Sequence, residues 1–233
     1  MSIVAILWLS GCNSISYTQK EPLIYQHAIE HSMYATEKKK SILLSINNEN
    51  KNLIHKSINN EDYILMLTWK AKNYYPDSGA YNTNNYEIWV TAAPELYNRM
   101  QKVKSSDIHL RLKQLLGLPP TAQNKLFIEL WVRPQDLFRP CPDKEINDQI
   151  CNLCFTQQDS LDVDYIKWFN QSRIDRYYST GLYNQYPWTQ LGYTYDWNPK
   201  NKSHKGVSEF VIGKNKTIYV NRVYTTEEYL KRK

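Results

Sequence analysis

The chain has 233 residues, a formal net charge of +6, and 42% apolar against 22% charged residues. That balance excludes a disordered chain and leaves enough apolar material for one sizeable domain. The positive charge is scattered, with its densest runs at Lys38-Lys39-Lys40 and Lys231-Arg232-Lys233; it forms neither the basic face nor the reader motif of a nucleic-acid binder, and no nucleic-acid partner is expected. Aromatic usage is skewed, with 19 Tyr and 7 Trp against 5 Phe. Tyr and Trp are amphipathic and suit half-buried surfaces and ligand-contacting grooves.

In chain order, the first element is the apolar run Ile3-Val4-Ala5-Ile6-Leu7-Trp8-Leu9, followed by Ser10-Gly11-Cys12. Crossing roughly 30 Å of hydrocarbon takes about 20 residues, so this run reads as a secretory signal and not as a membrane span. Leu9-Ser10-Gly11-Cys12 resembles the lipobox of bacterial lipoproteins. The resemblance implies cleavage before Cys12, diacylglycerol on its thiol, a palmitate-type acyl chain on its freed amine, and stable attachment to a membrane. With Asn13 in place of an Asp after the cysteine, it also implies the outer membrane, facing the periplasm. The organisation expected is a signal peptide over residues 1–11, a lipidated tether over 12–22, a helix and polar linker over 23–62, and a single domain over 63–233.

Residues 23–44 carry an imperfect apolar stripe and are expected to be helical. Two similar polar segments, Ser45-Ile46-Asn47-Asn48-Glu49-Asn50 and Ser57-Ile58-Asn59-Asn60-Glu61-Asp62, suggest a mobile linker or a hairpin. Strands are expected at residues 64–69, 86–90 and 126–132, with a Tyr- and Asn-rich loop at 73–85. Pro94 suits the first turn of a helix. Ser105 or Ser106 is placed to cap the next helix, which stops at Gly117, and Asp162 to cap a helix over 163–178. Residues 209–212 and 217–223 are expected to pair as a closing hairpin across 213–216. The segments at 86–97 and 128–137 echo each other as strand–turn–helix units with Glu87 beside Trp89 and Glu129 beside Trp131 in the same parity. The expected fold is α+β: a mixed or antiparallel sheet with covering helices and a disulfide-stapled loop.

Cys141, Cys151 and Cys154 cluster. In an oxidising periplasm Cys141 is expected to pair with Cys151 or Cys154. A zinc site on Cys151-x2-Cys154 is the alternative, and it lacks a nearby fourth ligand; no metal and no cofactor are expected.

Four patterns could carry chemistry. His27-Ala28-Ile29-Glu30-His31 resembles the H-x-x-E-H pattern of inverted zinc peptidases, with no peptidase domain around it. Glu87 and Glu129 could converge as an acid/base pair of the kind a glycoside hydrolase uses. Arg133, Ser179-Thr180 and Glu209 come in the order of an ADP-ribosyltransferase. That resemblance implies that Glu209 would stabilise an oxocarbenium ion while Arg133 held a cofactor phosphate, but the second Ser and the paired Glu are missing. Finally, Tyr186, Trp188, Tyr193, Tyr195 and Trp197 form an aromatic cluster expected to bind a glycan or a protein partner.

Pro187-Trp188-Thr189, Gly192-Tyr193-Thr194-Tyr195-Asp196-Trp197, Trp131-Val132 and Asp136-Leu137-Phe138-Arg139-Pro140-Cys141-Pro142 together resemble an uncharacterised group of small bacterial envelope lipoproteins. The resemblance implies a location and no activity. The function expected is that of a membrane-anchored, non-enzymatic binding protein for an envelope protein or glycan. An envelope enzyme of the carboxylate-pair or ADP-ribosyltransferase type is one alternative, and an immunity-type lipoprotein another.

Overall fold

Residues 17–232 are described by a computed structural model. The signal and lipobox at residues 1–12 lie outside them. Near-continuous apolar runs in the central strands, such as Ile64-Leu65-Met66-Leu67, give the sheet two buried faces, and the elements follow from which face each segment covers. In chain order they are helix α1 (Tyr17–Ser32), strands β1 (His55–Ile58), β2 (Glu61–Lys70), β3 (Gly79–Asn82) and β4 (Ile88–Ala92), helices α2 (Ala93–Gln101) and α3 (Ile108–Leu115), strands β5 (Leu126–Val132) and β6 (Leu137–Phe138), helix α4 (Val163–Tyr177), strands β7 (Tyr193–Tyr195), β8 (Lys205–Ser208), β9 (Phe210–Ile212) and β10 (Thr217–Thr225), and helix α5 (Thr226–Lys231).

The fold is α+β. The main sheet runs β3-β10-β5-β2-β4-β9-β6, with β1 on the free part of the β2 edge, and every pairing is antiparallel. β7 and β8 form a separate ribbon. On one face of the sheet Leu65, Leu67, Trp69, Phe127 and Trp131 pack under α2, α3 and α5. On the other, Ile64, Met66, Ile128 and Leu130 are covered by irregular chain carrying Ile46 and Leu53. Among the described residues, no helix is long and apolar enough to cross a membrane.

Several local expectations hold for their stated reasons. Pro94 lies in the first turn of α2. Asp162 caps α4, its side chain accepting from Tyr165 N at 3.0 Å, a contact worth about 1 kcal/mol. Asn59 and Asn60 both have positive φ, at 52° and 63°, and make the two-residue β1–β2 hairpin turn. Cys141 and Cys151 form the disulfide, and Cys154 is free and exposed. That pairing removes Cys151 from any Cys151–Cys154 zinc site.

Other expectations are corrected. The first helix begins at Tyr17, runs through Pro22 and ends at Ser32, so the helix expected over residues 23–44 starts earlier and stops sooner, and beyond Ser32 only a single 3-10 turn at Glu37–Lys39 remains. Of the mobile linker or hairpin expected from the two similar polar segments, the hairpin is what forms, as β1–β2, and the helix and polar linker expected over 23–62 packs into the domain, with Tyr25, Ala28, Ile29, Leu43, Ile46 and Leu53 buried. Asp107, and not Ser105 or Ser106, caps α3, accepting from Leu110 N at 2.8 Å. β9 and β10 do not pair. Both edges of β9 are taken by β4 and β6, and both edges of β10 by β3 and β5. The second strand–turn–helix unit also fails to close, because β5 leads into a single turn, Pro134–Asp136, and then β6.

The Tyr excess has a structural account. Tyr hydroxyls donate to backbone carbonyls across long sequence distances: Tyr25 to Gln185 (2.9 Å), Tyr193 to Lys39 (2.8 Å), Tyr165 to Arg139 (2.9 Å), and Tyr177 to Trp188. Each ring fills the core while its hydroxyl satisfies a loop carbonyl, which Phe cannot do.

Candidate functional site

Pairing between β2 and β4 is confined to two positions, Met66↔Ala92 and Leu67↔Thr91. Beyond them β4 pairs with β9 instead, and the two strands become opposite walls of a cleft. Its volume is about 400 Å³, with Trp69 and Lys70 on the β2 side and Trp89 and Thr91 on the β4 side. That is within the range of small-molecule sites. The chain after α3, around Gly117 to Pro119, and the chain at residues 186–188 and 193–195 complete the lining.

Each polar group in the cleft has an identifiable source. The β4–β9 register runs from Ile88↔Ile212 to Val90↔Phe210, so Thr91 and Glu209 take the next opposed position, on the face that carries Trp89. Glu209 lies between β8 and β9, its N–H donating to Gly192 O at 2.9 Å. On α4, Tyr165, Phe169, Ser172 and Arg176 recur at helical spacing. That face puts the Arg176 guanidinium 4.3 Å from the centre of the Trp89 ring. Trp188 is set by the Tyr177 hydroxyl on its carbonyl and by its own N–H on Tyr186 O at 2.8 Å.

The cleft concentrates unmet hydrogen bonding. Among the described residues, six buried side-chain polar atoms lack a partner, and three of them, Thr91 Oγ1, Trp188 Nε1 and Glu209 Oε2, belong to cleft-lining residues. Burial pushes the Glu209 carboxyl up to about 7, with Arg176 opposing the rise. Burial likewise lowers the proton affinity of Arg176 and of Lys70. Among the described residues, none of these three charged groups makes an ion pair.

The aromatic cluster expected to bind a partner is largely buried. Trp188, Tyr193, Tyr195 and Trp197 are only 4%, 4%, 3% and 1% exposed, and Tyr186 is half-buried. They are core and cleft-wall residues. Their ring faces are largely used by the protein. Tyr195 stacks on His204 with centroids 4.9 Å apart, and Trp188 packs on Phe169 at 5.0 Å. Of the five, Tyr186, Trp188, Tyr193 and Tyr195 line the cleft; Trp197 does not.

The carboxylates and the arginine do not assemble into a catalytic set. β2 lies between β4 and β5, so the strands expected to juxtapose Glu87 and Glu129 are not neighbours. Glu87 accepts from Trp168 Nε1 at 2.7 Å. Glu129 is buried and accepts from Asn221 (2.7 Å) and Arg232. Arg133 pairs with Glu61 (3.0 Å) and Asp136 (2.7 Å) and does not line the cleft that holds Glu209. Ser179-Thr180 follows α4 as a bend and not as a strand. The His27–His31 pair is a helix face: Tyr195 OH bonds His31 Nδ1 at 3.0 Å, and Glu30 accepts from Gln26 at 3.0 Å. Among the described residues, no group of three potential metal ligands includes a histidine.

Sequence reasoning missed Thr91, Arg176 and Lys70 as site residues. The one signal available was Glu209 itself, an acid set inside the apolar run from Val207 to Ile212. No protein family model, curated protein or solved structure matches the chain.

Proposed function

We propose that this chain is a membrane-anchored envelope lipoprotein that binds a small ligand, or the terminal group of an envelope protein or glycan, in the cleft between β2 and β4, without catalysing a reaction. The address is supported by Leu9-Ser10-Gly11-Cys12. The binding role is carried by one observation, the three partnerless polar atoms gathered on a single aromatic-lined cleft. A buried polar atom left unbonded costs about 1–3 kcal/mol, and a ligand that bonds these atoms recovers that cost on binding. A second reading, an envelope hydrolase or transferase with Glu209 as general acid or base, has one observation in its favour. The Glu209 carboxyl, pushed up to about 7, is matched to proton transfer near neutral pH. It lacks a second carboxylate in the cleft.

Cell fractionation with intact-mass measurement of the wild type and Cys12→Ala tests the address. The wild type is expected in the outer membrane with acyl mass on Cys12, and the variant out of it. If both stay soluble with residues 1–11 attached, the anchor is ruled out. For binding, the Trp188 indole N–H resonance, assigned by its absence in Trp188→Phe, is expected to shift when the low-mass fraction of an envelope extract is added. A resonance that no such fraction moves would end the binding reading.

A further inference from the structure

Resting on the cleft being a ligand site, we infer that its ligand is a small α-amino acid with an apolar side chain, its carboxylate held by Arg176 and its ammonium by Glu209. The charges of the cleft point to this class. Arg176 and Glu209 line the same space and lie close enough for each to act electrostatically on the other, yet they form no direct ion pair. Two opposite charges that face one cleft without touching are complemented by a molecule whose own opposite charges sit side by side, as the ammonium and carboxylate of an α-amino acid do.

The rest of the lining fits the same molecule. Trp188 Nε1–H is a donor without an acceptor, matched to a carboxylate oxygen, and Thr91 Oγ1 is a hydroxyl without a partner, placed beside Glu209 by the β4–β9 register. Lys70, at the β2 wall, adds a second cation, so the cleft as a whole favours a ligand that brings a full negative charge. Leu67, Leu96 and Phe127 supply an apolar wall for a side chain. Stacked sugar rings fit less well, because Arg176 covers a face of Trp89 and Phe169 packs on Trp188.

The test is calorimetric titration of the full chain with L-leucine and L-phenylalanine, set against 3-phenylpropionate, which lacks the amine, and phenylalaninamide, which lacks the carboxylate. N-acetylglucosamine and glucose complete the panel, and the Trp188 indole resonance is followed in parallel. Either amino acid is expected to bind and to shift that resonance. Each one-ended analogue should bind at least tenfold more weakly, and Glu209→Gln, which keeps the side-chain shape, should weaken the amino acid at least tenfold with the analogue lacking the amine unaffected. Equal binding of phenylalanine and 3-phenylpropionate overturns the inference, as does an unchanged affinity in Glu209→Gln. If the sugars or an envelope extract move the Trp188 resonance while the amino acids do not, the ligand class falls and the binding reading stands. If nothing moves it, both fall.

Discussion

Two carboxylates on the same domain are treated in opposite ways. Asp196 is fully buried and saturated: Arg111 grips it with both terminal nitrogens (3.0 and 2.6 Å), Asn201 Nδ2 donates at 2.8 Å and Asn198 N–H at 3.1 Å. Glu209 is half-buried, and among the described residues its buried Oε2 has no hydrogen-bond partner and it makes no ion pair with the nearby arginine. The first arrangement makes a charge part of the architecture, since it locks the end of β7 onto α3. The second leaves a carboxylate oxygen without a partner among the described residues. Burial alone does not mark a functional residue; burial without bonds, repeated at three atoms around one space, is the informative pattern.

The largest effect that would sharpen this contrast is at Asp196. Asp196→Ala leaves the largely enclosed Arg111 without its acceptor and is expected to cost about 3–5 kcal/mol in urea unfolding. A cost under 1 kcal/mol would show that the saturated pair is not structural and would erase the distinction. At Glu209 the sign reverses. Its carboxyl is raised from an ordinary 4.5 to about 7, so the folded state keeps a proton that the unfolded state loses. Stability is therefore full below pH 4.5, falls as pH rises through the window from 4.5 to 7, and by pH 8 is lower by about 3 kcal/mol. Glu209→Gln should accordingly be more stable than the wild type at pH 8 and equal to it at pH 4.5. A variant that is less stable at pH 8 would mean that the ionised carboxylate is bonded after all.

The smallest effect lies at the cleft margin. Leu191 and Tyr193 pack with Cys141 and Cys151, and Tyr193 also lines the cleft. Replacing both cysteines by Ala opens a loop with a sequence separation of 10 and is expected to cost about 2–3 kcal/mol, with the fold retained. Differential scanning calorimetry of that double variant with and without dithiothreitol should show no dependence on the reductant, whereas the wild type should lose the same stability when reduced. An identical transition for both proteins in oxidising buffer would show that the disulfide contributes nothing.

The architecture was legible in the sequence where pattern is local. Short apolar and aromatic runs marked β2, β4 and β5, and Asp162 and Pro94 marked helix starts, because such runs and caps depend only on near neighbours. Reading failed where the decision is made at a distance. The helix expected from residue 23 begins instead at Tyr17 and runs through Pro22, held by the burial of Tyr25 and Ile29 against Trp197 and its neighbours. The runs at 209–212 and 217–223 looked like a hairpin, since two strands beside a turn have the same local pattern whether or not they pair. The amphipathic Tyr and Trp residues were expected on half-buried surfaces and grooves, and the sequence did not show that several Tyr hydroxyls face distant loop carbonyls. The cleft was the least legible feature. It joins residues from β2, β4, α4 and the chain around Glu209, and an unmet hydrogen bond has no signature in one dimension.

The early start of α1 has a mechanical consequence for a chain anchored at Cys12. Only five residue steps separate that cysteine from Tyr17, and fully extended they span no more than about 18 Å. Such a leash is shorter than the domain it holds, so the domain could not patrol the space beyond the membrane. Its surroundings would be the thin aqueous layer at the bilayer face, and whatever enters the cleft would have to be present, or be released, within that layer.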